Sequence, residues 1–505
     1  MTNANLYALF QKHFPSDLDA PALTTPGGET ISYGGLDAMS ARYAGLLKAE
    51  GVRVGDRVAV QVDKSPQAVA LYLACLRAGA VYLPLNTAYT PAEISYFVGD
   101  AEPALLVCRP KSQQGLSEAL KNIQGLVIMT LDADGAGTLS TAAQTAEPDT
   151  GVIELKGSDL AAILYTSGTT GRSKGAMLSH DNLASNALAL HQMWGWRDGD
   201  VLIHALPIFH VHGLFVALHC ALLNGSKMWF LPKFDTDQVI ELLPQSTVLM
   251  GVPTFYTRLV DHPGLTRGAC ANMRLFVSGS APLLAETFAT FEDKTGHRIL
   301  ERYGMTETGM ITSNPLDGER LPATVGYPLP GVQVRVADED GNVLSAEEIG
   351  VLEVTGPNVF TGYWRMPEKT ASEFRKDGWF ITGDVAKMSD DGRVSIVGRA
   401  KDMIISGGYN VYPKEIETVI DDLDGVKESA VIGAPHPDFG EAVIAVIVTE
   451  DGAVLSEADV QAAIKNDLAR FKHPKRVFVV DELPRNTMGK VQKNILRDTY
   501  SDTFS

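Results

Sequence analysis

Cysteine is scarce in this chain, and basic residues are outnumbered by acidic ones. Only four cysteines occur among 505 residues, far apart and in apolar surroundings. This pattern excludes a disulfide framework and a cysteine metal site. The 43 Lys and Arg residues stand against 61 Asp and Glu, a net charge of -18 at pH 7. Nucleic acid is therefore not expected as a partner, because a strongly negative chain repels a polyanion.

Long apolar segments are also missing. No run approaches the roughly 20 residues that a membrane-spanning helix needs. The opening MTNANLYALFQKHFPSD has neither a basic leader with an apolar core nor an Arg-rich amphipathic pattern. These absences predict a cytoplasmic protein with no membrane partner. A chain of 505 residues is too long for one hydrophobic core, so two or more domains are expected.

The pattern of apolar residues and turns divides the chain into three regions. Up to about residue 398, short apolar strands alternate with amphipathic helices, as in RVAVQV (57–62), SPQAVALYLACLRAG (65–79) and AVYLPL (80–85). This alternation predicts an α/β fold with mainly parallel sheets. After Gly331, short strands and tight DG turns predict a β-rich subdomain. From about residue 400, strands mixed with the helices PKEIETVIDDL and EADVQAAIKNDLARF predict a small α+β unit.

The stretch LYTSGTTGRSKGAMLSH (164–180) has the composition of a phosphate-binding loop. We predict the end of a strand, a polar Gly-rich loop and the start of a helix. Glycines let backbone amides approach an anion, and hydroxyls and a lysine supply donors. The spacing departs from GxxxxGK[ST], which excludes the loop of the usual P-loop enzymes. The residues predicted to hold ATP here are Thr166, Ser167, Gly168, Thr169, Thr170, Gly171 and Lys174.

Further stretches carry polar residues that suit a nucleotide. In ILERYGMTETG (299–309), Glu307 suits Mg²⁺, Thr306 suits a phosphate, and Tyr303 offers a flat face to adenine. In GWFITGDVAKM, Asp384 follows a glycine at a predicted strand end and suits the ribose hydroxyls, while Arg399 suits ribose or phosphate oxygens. Each stretch alone is more often structural than functional. Their combination carries the argument.

Together with LPRNTMGKVQK (483–493), these stretches resemble the adenylate-forming acyl-CoA synthetases. YTSGTTGRSKG, YGMTET, TGD, GRAKDMI and PRNTMGK occur in the family's order and approximate spacing over nearly the whole chain. The resemblance implies ATP with Mg²⁺, coenzyme A and a carboxylic acid as substrates, and it adds Ser280 and Ala281 to the ATP site. It also implies a large domain of residues 1–398 and a small domain of residues 399–505 that rotates about a hinge near Lys401.

By the same resemblance, Lys490 contacts the α-phosphate and the acyl carboxylate in an adenylation pose. There it stabilises charge as pyrophosphate leaves. In a thioester pose the small domain turns, withdraws Lys490 and brings Gly407 and Gly408 to the tunnel for the thiol of coenzyme A. Lys490 is further predicted to be accessible to a protein acetyltransferase, whose reaction would remove its charge.

The position before the Tyr of YGMTE lines the acyl pocket in this family and is commonly small. Here it is Arg302. A buried guanidinium costs several kcal/mol unless an anion meets it, and a second carboxylate on the substrate would supply that anion with two-pronged geometry. His210 and Ser278 fall at other pocket positions. This set is similar to malonyl-CoA synthetases and implies malonate as the acid.

Alternatives remain for the acid pocket. Arg302 would instead turn away if it paired with a carboxylate such as Glu301 or Asp261. Arg258 is a rival reader of the distal carboxylate, and His212 is expected to be a core residue or to support the pocket from behind.

Alternatives also remain for the activity. Another short acid, such as methylmalonate, or the loading of a carrier protein would keep the adenylation chemistry. A non-catalytic nucleotide sensor would be expected to have lost Lys490 or Glu307, yet both are present. A kinase would need a different phosphate loop and would release ADP.

Overall fold

A computed structural model describes residues 3–166, 173–406, 409–437, 439–450, 452–466, 468, 470–486 and 489–504. Over these ranges, no helix is both long enough and apolar enough to span a bilayer. All four cysteines are buried free thiols, as their apolar surroundings predict.

The first 330 residues alternate strands with helices. The strands are β1 (Pro21–Thr24), β2 (Thr30–Ser32), β3 (Arg57–Gln61), β4 (Val81–Pro84), β5 (Leu105–Cys108), β6 (Val127–Thr130), β7 (Leu160–Thr166), β8 (Lys174–Ser179), β9 (Val201–His204), β10 (Lys227–Phe230), β11 (Val248–Gly251), β12 (Leu275–Ser278), β13 (Leu300–Met305), β14 (Gly309–Ser313) and β15 (Tyr327–Pro328). The helices are α1 (Leu6–Gln11), α2 (Tyr33–Ala49), α3 (Pro66–Ala78), α4 (Pro91–Ala101), α5 (Pro110–Ala119), α6 (Thr138–Ala143), α7 (His180–Met193), α8 (His219–Asn224), α9 (Thr236–Leu242), α10 (Pro253–Asp261) and α11 (Ala285–Thr295). A π-helical segment, His212–Leu218, leads directly into α8.

The next segment is the predicted β-rich part. It contains β16 (Gln333–Ala337), β17 (Gly350–Thr355), β18 (Gly362–Tyr363), α12 (Pro367–Ser372), β19 (Phe380–Met388) and β20 (Val394–Arg399). The last part contains β21 (Ile404–Ser406), β22 (Tyr409–Val411), α13 (Pro413–Asp421), β23 (Val426–His436), β24 (Gly440–Thr449), α14 (Glu457–Ala463), β25 (Arg476–Val479) and α15 (Lys493–Thr499).

Four sheets organise the described residues. Two are mainly parallel, one in the order β15-β14-β13-β12-β11-β9-β10-β1-β2 and the other in the order β18-β8-β7-β4-β3-β5-β6. The third, β16-β17-β19-β20, is antiparallel. The fourth joins β22-β21-β24-β23 and adds β25 parallel to β24. The predicted fold class is therefore confirmed.

Helix α3 shows how the local sequence sets these elements. Ser65 caps its start by accepting from the backbone N–H of Ala68, and Pro66 occupies the first turn, where a missing N–H costs nothing. Gly79 ends it in the left-handed conformation, with φ at 72°. Nearly every residue between them is buried because the helix packs within the main core.

Two local predictions next to the site are wrong. The Gly-rich loop does not lead into a helix: β8 follows it, pairs antiparallel with β7, and only then does Ser179 cap α7. Cross-strand pairing of residues 174–179 with β7 takes precedence over helix formation there. Asp384 lies inside β19, opposite Arg399, and not at a strand end.

One predicted helix is shorter than expected. Helix α14 ends at Ala463 and short 3₁₀ turns follow it, although Val460, Ile464 and Leu468 still pack into one core.

Candidate active site

Neighbouring parallel strands end side by side at one edge of the nine-stranded sheet. Strand β9 ends at His204, β11 at Gly251 and β12 at Ser278. The next strand, β13, carries Arg302 one residue after Glu301, the partner of Ser278. Ligands of open α/β sheets bind outside the carboxyl ends of the strands, so this edge is where an acid pocket is expected.

Arg302 is enclosed by protein, and no counter-ion pairs with it among the residues that the structure describes. Its side chain is 3% exposed, and Nε and Nη2 have no hydrogen-bond partner within the described residues. Neither Glu301 nor Asp261 is seen to pair with it there: Oε1 of Glu301 also has no partner among the described residues, and Asp261 is exposed. Burial lowers the pKa of the guanidinium. Among the described residues, this buried positive charge therefore has no carboxylate paired with it.

The guanidinium lies directly over Gly279. A Cβ at this position would be 2.5 Å from both Cζ and Nη1 of Arg302. The glycine therefore makes room for the charged group. The rival Arg258 lies on α10 with an exposed side chain, so it does not share this buried setting.

Three more buried polar atoms without partners belong to the predicted pocket region. They are Oγ of Ser278 and Nε2 of both His210 and His212, each unbonded within the described residues. Burial, with a smaller contribution from Lys490, lowers the pKa of His210 to about 4. Burial, followed by the charge of Arg302, holds the pKa of His212 well below its usual range. Both imidazoles are therefore neutral at physiological pH.

His212 differs from its neighbours in one respect. Its Nδ1 is 3.4 Å from Oγ of Ser280, a residue predicted to contact ATP. Ser280 adopts φ 75°, which is unusual for a residue other than glycine. His212 is thus a buried residue, as expected, but it links the acid end of the site to the nucleotide end.

Asp384 and Arg399, which are predicted to bind the ribose, form a bonded cluster with Tyr303, which is predicted to stack on adenine. Tyr303 donates its hydroxyl hydrogen to Oδ2 of Asp384, and Nε of Arg399 lies 2.6 Å from Oδ1 of the same carboxylate. Burial raises the pKa of Asp384 despite the positive charge of Arg399 beside it. Cross-strand pairing of β19 and β20 sets this geometry, because Asp384 and Arg399 are direct partners.

The predicted phosphate and Mg²⁺ residues are joined by two residues that no motif marked. The hydroxyl of Tyr363 is 3.0 Å from Oε1 of Glu307 and 2.6 Å from Oε2 of Glu373. Glu373 also accepts from Nζ of Lys174 at 3.0 Å and from Lys369 at 2.7 Å. Burial raises the pKa of Glu307. Tyr363 lies 56 residues from Glu307 in sequence, so no local spacing could have indicated the link.

This carboxylate arrangement fits a metal ion that arrives with ATP. No cluster of three or more metal-ligating side chains occurs in the described part of the chain. Mg²⁺ typically uses one or two protein carboxylates together with phosphate oxygens. Glu307 supplies one such carboxylate, and Glu373 lies one hydroxyl group away.

Lys490 reaches this region from the small C-terminal part. Its backbone N–H donates to Oδ1 of Asn486 at 3.0 Å, and its carbonyl accepts from the N–H of Asn486 at 2.9 Å. A Cβ on Gly489 would lie 3.2 Å from Cγ2 of Thr254 at the start of α10. The loop therefore rests against the N-terminal part of the chain.

The side chain of Lys490 keeps contact with solvent. Surrounding protein nevertheless lowers its pKa, and the charges of Arg399 and Arg302 add to that effect against those of Asp384 and Glu307. The lysine thus lies within electrostatic range of both the ribose cluster and the acid pocket.

The remaining predicted residues are placed as follows. Thr166 ends β7 with Oγ1 3.5 Å from the carbonyl of Lys174, Thr306 follows β13, and Ala281 is half-buried beside Ser280. Lys401 is exposed in a 3₁₀ turn between β20 and β21. Residues outside the described ranges are Ser167, Gly168, Thr169, Thr170, Gly171, Gly407 and Gly408.

Comparison with known proteins gives two family matches and close relatives. The AMP-binding enzyme model matches residues 10–364, and the AMP-binding enzyme C-terminal domain model matches residues 415–490. The chain is 37% identical over 497 residues to the mitochondrial malonate–CoA ligase ACSF3 of Mus musculus, covering 90% of this chain and 84% of the relative.

Two solved structures of MatB from Rhodopseudomonas palustris, each 57% identical, cover 100% of both chains. The ATP-bound form has a TM-score of 0.97 and the apo form 0.87. This chain therefore has an overall arrangement more similar to that of the ATP-bound structure. The family models together span most of the chain and include the strands that carry the acid pocket and the loop that carries Lys490, so the chain belongs to the family of AMP-binding enzymes.

Proposed function

We propose that this enzyme is an AMP-forming malonate–CoA ligase. Malonate and ATP give malonyl-adenylate and pyrophosphate, and the thiol of coenzyme A then attacks the adenylate to give malonyl-CoA and AMP. The observation that carries the choice of acid is the buried guanidinium of Arg302, whose Nε and Nη2 have no hydrogen-bond partner in the described structure. The malonate–CoA ligase name of the ACSF3 relative supports the same choice.

A short diacid matches the chemistry of this pocket. Burying an unpaired cation costs several kcal/mol, and an anion with two oxygens recovers most of that cost through paired hydrogen bonds. Ser278 and the neutral imidazole of His210 can bond to the same carboxylate, since each has an unused buried polar atom. A monocarboxylic acid would leave all of these groups unsatisfied and is therefore disfavoured.

Adenylation would place the reacting carboxylate of malonate near Lys490, while its second carboxylate would meet Arg302. In this structure the lysine is within electrostatic range of both Arg302 and Arg399. Its charge stabilises the developing negative charge as the acid attacks the α-phosphate and pyrophosphate leaves. Asp384 would exchange its contact with Tyr303 for the ribose hydroxyls. Mg²⁺ bound to ATP and Glu307 would neutralise phosphate charge.

The second half-reaction would use a different domain pose. We propose residues 1–398 as the large domain, residues 399–505 as the small one, and the turn at Lys401 as the hinge, since it connects the third sheet to the fourth. Rotation would withdraw Lys490 and bring Gly407 and Gly408 towards the thiol path. Closure would also protect the adenylate from water.

Two further statements, on acetylation and on cellular location, remain predictions. Acetylation of Lys490 by a protein acetyltransferase is supported only by its solvent-exposed side chain. A cytoplasmic location is a prediction as well, because the ACSF3 relative is named as mitochondrial.

Release of AMP, measured with coenzyme A present over a series of acids, tests the function. Acetate, propionate, oxalate, malonate, methylmalonate, succinate and glutarate span the relevant lengths and charges. Malonate should give the highest kcat/KM, and acetate and propionate should be poor substrates. A preference for propionate over malonate would contradict the assignment of Arg302. Replacing free coenzyme A with a phosphopantetheine carrier protein separates the two classes of acceptor.

A further inference from the structure

A half-buried lysine and a buried histidine are bonded to each other near the predicted acid pocket. Nζ of Lys64 lies 2.8 Å from Nδ1 of His204 and 2.7 Å from its carbonyl oxygen. It also lies 4.3 Å from the ring centre of Phe230. No carboxylate pairs with Lys64 within the described residues, although it lines a cavity of about 360 Å³ together with Asp63 and Lys233.

The second ring nitrogen of His204 is bonded to the start of the π-helix. Its Nε2 is 2.9 Å from the carbonyl oxygen of Gly213. Because a carbonyl can only accept, Nε2 carries the hydrogen and Nδ1 accepts from Lys64. Both bonds therefore require the same neutral tautomer. Burial holds the pKa of His204 well below its usual range, which agrees with that tautomer.

The segment between His204 and Gly213 is closed at both ends. His204 ends β9, and Gly213 is the second residue of the π-helix. A Cβ on Gly213 would lie 2.0 Å from the carbonyl oxygen of Pro207, so the two backbones are in direct contact. His210 and His212 lie inside this closed segment. π-Helical turns are rare and occur frequently at functional sites.

We infer that Lys64 and His204 are positioning residues for the acid pocket. Through the carbonyl of Gly213 they fix the segment that brings His210 and His212 to Arg302. Neither residue touches the acid itself. The inference rests on the proposed function, since it assumes that the pocket reads malonate.

The experiment compares Lys64→Met with Lys233→Met in a malonate-dependent pyrophosphate-release assay. Methionine preserves the length of the lysine side chain but removes the donors. Lys233 lines the same cavity, is exposed and has no bond to His204 among the described contacts. We expect Lys64→Met to raise the KM for malonate by about tenfold, because a small displacement of recognition groups is costly. The KM for ATP should stay within about twofold, and Lys233→Met should resemble the parent.

A second pair of variants distinguishes a loss of positioning from a general folding defect. Glutamine at position 204 can accept from Lys64 and donate to Gly213, whereas leucine can do neither. His204→Gln should therefore recover most of the malonate affinity that His204→Leu loses. Thermal unfolding and the KM for ATP report on the fold independently.

Three results would overturn the inference. They are an unchanged KM for malonate in Lys64→Met, an equal rise in Lys64→Met and Lys233→Met, and an equal loss of ATP and malonate affinity. If the parent enzyme releases no pyrophosphate with malonate but does so with another acid, the proposed function fails first and this inference fails with it.

Discussion

The two ends of the predicted site differ in whether their polar groups have partners within the protein. At the nucleotide end, Asp384 is bonded to Tyr303 and Arg399, and Lys174 is bonded to Glu373. At the acid end, the guanidinium of Arg302 and its neighbours have buried atoms without a partner in the described structure. At the nucleotide end, these charged groups are paired with each other. At the acid end, the described structure leaves polar atoms that an anion could bind.

This difference indicates how each end selects its ligand. ATP must displace existing contacts, so its affinity depends on a small difference between two sets of bonds. A diacid instead meets a charge whose burial cost has no other compensation. The acid end is therefore expected to be far more sensitive to substitution than the nucleotide end. The predictions below test that expectation and the loop that joins the two ends.

The largest effect is expected for Lys490→Ala, because this lysine is proposed to act on both the acid and the nucleotide. Malonate-dependent pyrophosphate release should fall by about 10³-fold, as removal of a group that stabilises transition-state charge does. Thioester formation from synthetic malonyl-adenylate should survive, since that step would use the other pose. Lys427→Ala, at an exposed position of the same domain, is the control. Equal loss of both half-reactions would refute the two-pose description.

Next comes Arg302→Met, which removes the charge from the acid end alone. The kcat/KM for malonate should fall by roughly 100-fold, because a charge-assisted bidentate contact is lost. ATP binding, measured by calorimetry, should be retained. Arg258→Met, at an exposed position of α10, should have little effect. If Arg258→Met were the more damaging change, Arg258 would be the reader of the distal carboxylate.

A smaller loss is expected for Gly279→Ala. The new Cβ would lie 2.5 Å from Cζ of Arg302, so the guanidinium must move. The kcat/KM for malonate should fall by about tenfold, the usual size of an effect from a displaced recognition group. The loss should largely disappear in an Arg302→Met background, because coupled residues are not additive. Full additivity in the double variant would show that the alanine acts elsewhere.

The smallest effect is expected at the nucleotide end. Glu373→Gln should weaken the hold on Lys174, which is 3.0 Å away, and lower the KM for ATP. The KM for ATP should fall by about two- to fivefold. The effect is small because the carboxylate of Glu373 is partly solvated and because ATP binding replaces one ion pair of Lys174 with another. Glu368→Gln, at an exposed position of α12, the helix whose C-cap residue is Glu373, is the matched control. A rise in the KM for ATP would mean that Glu373 supports nucleotide binding and does not oppose it.

Several features of the site were predictable from the sequence because they depend on neighbours along the chain. The Gly-rich loop, the YGMTE turn and the PRNTMGK loop each combine residues whose backbone freedom and polar groups suit a phosphate. The unusual charge at Arg302 could be noticed for the same reason, since it stands next to a recognisable motif. The layered α/β class followed from the alternation of strands and helices.

Other features depend on residues that are distant in sequence. Tyr363 and Glu373 meet Glu307 and Lys174 only because β18 pairs with β8 and α12 follows it. The bond between Lys64 and His204 joins residues 140 positions apart. The prediction that Asp384 ends a strand failed because the pairing of β19 with β20 continues past it. Local propensity carries no information about such contacts.

The amino-acid sequence by itself determined the class of fold, the family and the presence of an anion-seeking arginine, since each is carried by a contiguous pattern. Only the tertiary structure decided which of these groups are neutralised and which are not. A charge is compensated or left uncompensated by what the folded chain brings within about 3–4 Å of it. That distribution, with paired groups at the nucleotide end and unpaired groups at the acid end, arises from packing between elements far apart in the chain.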